Sequence, residues 1–472
     1  MAQAQGSNAQ LIFGEEITYK STPVLSLHDC EAAWDESTDP DATVTADSAV
    51  KKCGTNSMKS VIAVGMTAGD IVATDNFAAK NLSNYTHVGF WYRSSVVLAA
   101  GDLQLLLDDT ALCASPLETL NIPAVAAGEV DTWKFAKVAL ATPASDTAII
   151  SIGLKYTVDK GAMTFYLDGI VALKEGRIFA FNSEGLGMSR NLITSKAIRT
   201  SRQPQMPSLG KKEVAGNIVM ELHPAMIMLF KHLLGTYSVA GGAAPYTHTF
   251  KIGSSLPVGL TIDKVFDDIS QVIRENGCKI NSMGFSSPDE GPIPVTFDLM
   301  GAKESADADG LPFDSDPVDK GFSPFDAFQA SIKQGGSSLG TVTAFDIKIE
   351  NNLDGSVYVF DGTGERHSMP AGKVKVSGSL EVLFEDLTLY NLALNNTETS
   401  LEIIFTKGDG LGGSAGNEKL TISFDEIKFG AESPKVAGDA GVKLSLPFEA
   451  YYDNDADASA VVMTLLSPLA TY

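Results

Sequence analysis

Apolar and polar residues alternate along most of this chain, and a period of two restricts it to folds built from β-strands. In residues 373–384 one phase is apolar, comprising Val374, Val376, Leu380, Val382 and Phe384. Residues 401–405 and 442–450 alternate in the same way. We therefore predict an all-β protein made of sandwich or barrel domains, in which only residues 223–235 and 385–396 have the pattern of short helices.

The alternation slips once inside a strand. In residues 419–429 (KLTISFDEIKF) the apolar phase changes between Phe424 and Ile427. One extra residue in a strand has this effect, so we predict a β-bulge near Asp425.

Charge and composition exclude several classes of protein. The 472 residues, enough for roughly three domains, include 58 acidic and 35 basic residues, a net charge of −23. This balance opposes binding to nucleic-acid phosphates and to anionic membranes. The hydrophobic content of 44% suffices for packed cores, and four cysteines are too few for a disulfide framework. No signal peptide and no run of 18 apolar residues is recognisable, which predicts a soluble protein made in the cytosol, without a membrane partner.

The C-terminal part contains an internal repeat. When residues 214–222 are aligned with 376–384, Gly216 falls on Gly378. A short apolar helix and further strands follow in the same order in both copies, although alternating strands also resemble one another by chance. We predict two copies of one domain, residues 176–303 and 326–472. Residues 304–325 are acidic, contain three prolines and are predicted to form a linker.

Residues 25–175 differ from the repeat. They contain all three tryptophans and three of the four cysteines, and their apolar runs recur between turn residues as in a jelly-roll β-sandwich. Their 10 basic and 19 acidic residues give −9, which leaves −14 for the rest of the chain. The acidity is therefore shared between the regions.

No motif supports catalysis or a cofactor. Residues 408–413 match G-x-G-x-x-G and residues 336–340 match G-x-S-x-G, but a strand follows each where the chemistry needs a helix. The odd-numbered aspartates 453–457 and the acidic residues 305–316 lack ligands that a calcium loop requires, and a solvated loop explains both better. The six histidines show no metal-ligand spacing. We predict no enzyme activity, no metal and no cofactor.

Two weaker hypotheses concern residues 25–175. Trp34 and Trp133 are candidates for stacking on sugars, with ordinary core positions as the alternative. Trp91, flanked by apolar residues, is interpreted as core. Cys30 and Cys53 are candidates for a disulfide if the domain meets an oxidising exterior, whereas free buried thiols explain them equally well.

An ordered set of segments resembles the tail tube proteins of long-tailed bacteriophages. It comprises residues 4–23 with Glu15-Glu16, Tyr19 and Thr22-Pro23, then Gly185–Arg190, residues 199–235 with their arginines, and Tyr246–Phe250. The resemblance covers residues 1–24, as an N-terminal arm and first strand, and residues 176–300 well, and residues 325–472 more weakly. Residues 25–175 depart from the family pattern and resemble carbohydrate-binding modules or galactose-binding-like jelly rolls, as an insertion on the exterior.

The resemblance implies a structural virion protein of the tail, assembled in the bacterial cytoplasm. Its copies would stack as rings around a tape-measure protein, between the tail terminator and the baseplate, in a tail of the non-contractile kind. DNA would pass through without specific binding, past a lumen lined with carboxylates. Two tube domains per chain imply a trimeric ring with pseudo-sixfold symmetry. A hexameric ring is the alternative if the second copy is unrelated.

The sequence also permits two other hypotheses. The jelly roll also suits a secreted or surface-attached glycan-binding protein, and under the tube hypothesis the insert could still bind surface glycans. The strand-rich copies also suit a self-assembling shell or fibre outside phages.

Overall fold

The computed structural model describes residues 3–36, 39–200, 202–430, 432–436, 439, 441–452 and 459–470. Strands dominate these residues, and two α-helices interrupt them: α1 (Ile227–Leu234) and α2 (Thr388–Leu394). The all-β prediction with two short helices is confirmed. Neither helix has the length and hydrophobicity that crossing a membrane requires.

The chain folds into two compact units. The first unit comprises Met1–Ile178, Thr261–Arg274 and Ala306–Val318, and the second comprises Phe179–Leu260, Glu275–Ser305 and Asp319–Tyr472. The first thirteen strands in chain order are β1 (Ala9–Glu15), β2 (Val24–His28), β3 (Asp35–Glu36), β4 (Ala42–Asp47), β5 (Ser57–Ile62), β6 (Ile71–Lys80), β7 (His87–Ser94), β8 (Leu103–Asp108), β9 (Glu118–Asn121), β10 (Lys134–Ala139), β11 (Ile149–Tyr156), β12 (Met163–Leu173) and β13 (Arg177–Ile178).

Two antiparallel sheets of the first unit form a β-sandwich over residues 25–173. One sheet has the order β10-β7-β12-β5-β4, with β2 also paired to β12, and the other has the order β3-β6-β11-β8-β9. Their inner faces share one core, which includes Phe90, Tyr92, Leu105, Ile152 and Phe165. The sandwich arises because the alternating strands bury one face each.

The two ends of the sandwich segment lie side by side. In the antiparallel pair of β2 and β12, Val24 is opposite Leu173 and Leu25 is opposite Ala172. The amide of Lys174 also donates to the carbonyl oxygen of Pro23 at 3.0 Å. Adjacent ends are what an inserted domain requires.

The first unit also contains residues 306–318 of the acidic segment that the sequence predicts as a linker. Phe313 packs with Ile12, Val265 and Val272 in a small core. Asp314 is fully buried and accepts hydrogen bonds from the amide of Gly176 at 2.8 Å and from Lys137 Nζ at 3.1 Å. Part of this segment is therefore integrated into the packing of the first unit.

The remaining strands follow in chain order: β14 (Ser183–Glu184), β15 (Gly187–Ile193), β16 (Ser208–Glu221), β17 (Gly235–Ala240), β18 (Tyr246–Ile252), β19 (Leu260–Phe266), β20 (Gln271–Ser286), β21 (Pro294–Gly301), β22 (Lys303–Ala306), β23 (Val318–Asp319), β24 (Ala330–Gln334), β25 (Ser337–Ser338), β26 (Val342–Glu350), β27 (Lys375–Leu383), β28 (Thr399–Thr406), β29 (Lys419–Phe429), β30 (Lys443–Ala450) and β31 (Val462–Ser467). In the second unit an antiparallel sheet runs β15-β16-β21-β20-β26-β27-β30-β29. From β29 it continues to β28 and β24 and to β31, β18 and β17.

The second unit contains one local strand arrangement twice. β16 lies between β15 and β21 and precedes α1, and β27 lies between β26 and β30 and precedes α2. A Cβ atom at Gly216 would collide with the carbonyl oxygen of Gly185, and one at Gly378 would collide with that of Asp346. The aligned glycines therefore occupy the same crowded position, where only glycine allows the backbones to approach.

The predicted β-bulge is confirmed. Thr399 pairs with Ile427, whereas Leu401 pairs with Phe424, so β29 contains one more residue than β28 across this step. The extra residue lies at Asp425–Glu426 and restores the inward direction of Ile427 and Phe429, which are both buried.

Candidate functional site

An aromatic face lies on the outside of the sandwich sheet that contains β7. Trp91 on β7 is opposite Phe135 on β10, and their ring centroids are 5.3 Å apart. Tyr166 on β12 is opposite Arg93, and its ring meets Trp133 edge-on at 6.1 Å. We call Trp91, Trp133, Phe135 and Tyr166 the aromatic face.

Cations cover part of this aromatic face. Lys52 Nζ lies 4.3 Å from the ring centroid of Trp91. Lys59 Nζ and the guanidinium carbon of Arg93 each lie 5.9 Å from the ring centroid of Tyr166. Such cation–π contacts hold the rings in place, and a sugar would have to displace them to stack on Trp91 or Tyr166.

The three tryptophans occupy different environments. Trp34 is 2% exposed within the sandwich core, and its Nε1 donates to His28 Nδ1 at 3.3 Å. It has no free face for a sugar, which agrees with the alternative of a core position. Trp133 is half-buried on the outer face. Trp91, interpreted as core from sequence, is also half-buried there, because its neighbours Phe90 and Tyr92 take the inward phase of β7.

The cysteines of the sandwich are free thiols in this structure. Burial raises the pKa of Cys30 well above its ordinary value. Burial, reinforced by Asp168, raises the pKa of Cys53 to about 12. Both thiols are therefore protonated and poorly reactive at neutral pH, and the disulfide between Cys30 and Cys53 remains a prediction.

No group of His, Cys, Asp and Glu within the described ranges could hold a metal ion. Among residues 305–316, Asp307 pairs with Arg274 at 3.3 Å, and Asp314 pairs with Lys137. Protein groups already occupy these carboxylates. Asp453, Asp455 and Asp457, the other acidic cluster considered from the sequence, lie outside the described residues.

A basic β-hairpin extends from the second unit. β15 and β16 pair from Gly187 opposite Ala215 to Ile193 opposite Ser208. Residues 187–213, which we call the hairpin arm, contain six Lys and Arg against one Glu, a net charge of +5 in a chain of −23. These arginines belong to the sequence resemblance, which implies no role for them, although the positive sign of the local charge indicates one.

The base of the hairpin arm is anchored. Arg366 is buried, and its side chain donates to the carbonyl oxygen of Val214, the residue directly after the arm, and to those of Gly301 at 2.7 Å and Gly355 at 3.0 Å. Lys212 Nζ lies 3.1 Å from Glu365 Oε1, and the Tyr358 hydroxyl donates to the carbonyl oxygen of Lys212 at 3.0 Å. The arm therefore leaves the sheet from a fixed root.

Comparisons with known proteins give two findings. Residues 124–450 match the sequence model of the family described as phage tail tube protein, which covers more than half of the chain. Among solved structures, the crystal structure of a family 30 carbohydrate-binding module is similar at 12% identity, over 35% of this chain and 95% of that chain, with a TM-score of 0.24. No curated protein matches the sequence.

Proposed function

The chain belongs to the phage tail tube protein family and is a structural component of the virion tail, and we propose that within this tail it is the main tube subunit. Its copies would form stacked rings, and the stack would be the conduit for DNA ejection. The observation that carries the proposal is the family match over residues 124–450, which includes the hairpin arm, the first repeat copy and most of the second. The role is structural and requires no catalytic group.

The repeat supports a trimeric ring. Two copies of one strand–helix arrangement share a sheet within the second unit, so three chains would place six similar domains around the axis. Pairing of sheet edges between neighbouring chains would close the ring and remove exposed edges. A hexamer would instead place twelve copies around the axis or leave one copy of each pair outside the wall.

Electron microscopy of the purified full-length protein tests this proposal. We expect tubes or rings at high protein concentration, with threefold symmetry in averaged end views and weak sixfold symmetry at the inner wall. A monomer at all concentrations would contradict the tube function. True sixfold identity with six sandwiches per ring would contradict the trimer only.

We further propose that the sandwich decorates the outside of the tube. A lumen that passes DNA has no room for an extra domain of this size, and the adjacent ends at Val24 and Leu173 allow the domain to be added without opening the rest of the chain. Replacing residues 25–172 by a short Gly/Ser linker should leave tube formation intact. Because the deletion also removes Lys137, the partner of buried Asp314, the deleted chain should carry Asp314→Asn. Loss of tubes in this variant would contradict a peripheral role.

The charge of the chain bears on DNA passage. With −14 outside residues 25–175, a wall lined with carboxylates would repel phosphates and give no counterion release to favour adhesion. The tape-measure protein inside the tube and the terminator and baseplate proteins at its ends are the further partners we propose. The charge of the lumen surface, measured in an assembled tube, tests the proposed repulsion of DNA, since a basic inner wall would contradict it.

Glycan binding is a second candidate function, for the sandwich alone. The aromatic face favours it, because Trp133 is half-buried and has no cation stacked on its ring among the described residues. Binding of cell-surface polysaccharide that is lost in Trp133→Ala and kept in Trp34→Phe would support this role. A purified protein that binds polysaccharide as a monomer and never forms tubes would favour the secreted glycan-binding alternative.

A further inference from the structure

The hairpin arm combines two properties that a free surface rarely shows together. Its Lys196, Arg199 and Arg202 form no ion pair within the described residues. Ile198, between Lys196 and Arg199, is 99% exposed, and Met206 is 89% exposed. Three further apolar residues of the arm are exposed: Leu192, Ile193 and Leu209. Exposed apolar side chains beside unpaired cations indicate a contact surface for an acidic partner.

The α2 helix presents the opposite combination. Leu394 in the helix, Leu387 at its N-cap and Leu383 at the end of β27 are exposed, and Ala393 is the buried residue of the helix. Residues 383–398, which we call the α2 patch, contain Glu385, Asp386 and Glu398 and no basic residue. Apolar side chains with an acidic rim thus lie on the same compact unit as the basic arm.

We propose that in the assembled protein the hairpin arm of one copy docks on the α2 patch of a second copy. The proposal rests on the tube function above and names the surfaces that join its subunits. The charges are complementary, +5 on the arm and −3 on the patch, and both surfaces contribute apolar side chains to a shared contact.

The dimensions and the anchoring of the arm suit this contact. β15 has seven residues and therefore spans roughly 23 Å, a length sufficient for contact with a short helix and its flanking residues. The root is fixed by Arg366 and by the contact of Lys212 with Glu365, so the arm loses little freedom when it docks. A nucleic acid is a poorer occupant, because its phosphates would neutralise the cations and leave the apolar side chains of the arm in water.

A charge exchange in the full-length chain tests the proposal. The arm variant is Lys196→Glu with Arg199→Glu and Arg202→Glu, which changes the arm from +5 to −1. The patch variant is Glu385→Lys with Asp386→Asn and Glu398→Gln, which changes the patch from −3 to +1. The asparagine can still accept the helix-start hydrogen bond that Asp386 takes from the amide of Thr388 at 2.7 Å, and the glutamine can accept the one that Glu398 takes from the Tyr451 hydroxyl. The matched control is Lys373→Glu with Lys375→Glu and Lys435→Glu, three exposed lysines outside both surfaces.

We expect each single-surface variant to raise the protein concentration needed for assembly about tenfold or more, measured by sedimentation and electron microscopy. The chain that carries both changes should recover most of this loss, and the control should assemble like the wild type. Thermal unfolding of all variants should match the wild type, since the substituted side chains are exposed.

The outcomes separate this contact from the tube function. The arm contact would be overturned, and the tube function would remain, if the arm variant formed tubes as readily as the wild type. The same conclusion would follow if the doubly changed chain assembled no better than the single variants. Wild-type association that depends on the arm but yields no tubes or rings would overturn the tube function and leave the contact. A wild-type protein that stays monomeric would overturn both.

Discussion

The two helices of the second unit follow equivalent strands and meet opposite environments. Every residue of α1 except Lys231 is buried, and its Phe230 ring packs against Phe250 with centroids 5.7 Å apart. In α2 only Ala393 is buried. Antiparallel strand pairs follow both helices, β17 with β18 after α1 and β28 with β29 after α2. One copy of the repeat thus uses its helix as core, and the other leaves the helix available as a surface.

The largest expected effect lies in the first copy. Phe230→Ala should reduce the free energy of unfolding by about 3–5 kcal/mol, because it removes a fully buried ring from a packed interior. Urea denaturation of the full-length protein measures this. A loss below about 1 kcal/mol would show that α1 is not the core helix that the comparison requires.

The aligned glycines should behave alike, in contrast to the helices. Gly216→Ala and Gly378→Ala should each cost about 1–3 kcal/mol, because the new Cβ atom collides with a neighbouring carbonyl oxygen in both copies. Gly128→Ala, in a site with open space around it, is the control. A cost at only one of the two positions would mean that the copies share an element order without sharing strand packing.

Acid should affect the two copies differently. His223, which directly precedes the α1 turn, aligns with exposed Glu385, and burial aided by nearby Lys407 lowers the pKa of His223 to about 4. Since the unfolded chain takes up this proton near pH 6.5 and the folded chain only near pH 4, stability falls as the pH drops through this window. The expected loss between pH 7 and pH 5 is about 2 kcal/mol.

Denaturant titrations at both pH values, on the wild type and on His223→Gln, isolate this contribution. The variant should lose most of the pH dependence between pH 5 and 7, whereas Glu385→Gln in the second copy should keep it. Equal pH dependence in all three proteins would assign the acid sensitivity to other groups.

Sequence periodicity predicts strands well and the choice of face less well. The bulge at Asp425 was readable because the residues on its two sides alternate cleanly. In Phe90-Trp91-Tyr92 all three residues are apolar, so the pattern could not decide which of them points inward. Trp34 presented the same difficulty, because it lies in the irregular segment between β2 and β3, where no periodicity shows which side chains are buried.

The sequence also could not show which of the two helices is buried. Both segments are apolar, and their different exposure depends on whether later strands fold over them. The hairpin arm and the α2 patch became recognisable once exposure separated their leucines and isoleucines from those of the cores. Of the differences between the hairpin arm and the α2 patch, only the sign of the local charge could be predicted from the sequence.

The smallest effect on folding is expected for substitutions of two exposed leucines, which should nevertheless clearly weaken assembly. Leu387→Ala and Leu394→Ala change exposed side chains of α2, so each should alter the free energy of unfolding by less than about 0.5 kcal/mol. If α2 has exchanged a core role for a contact role, the same changes should weaken self-association of the full-length chain, measured by sedimentation. Leu411→Ala, at an exposed leucine of a loop outside the α2 patch, should change neither quantity. Stability losses as large as that of Phe230→Ala would show that α2 is a core helix after all, and the contrast between the two copies would disappear.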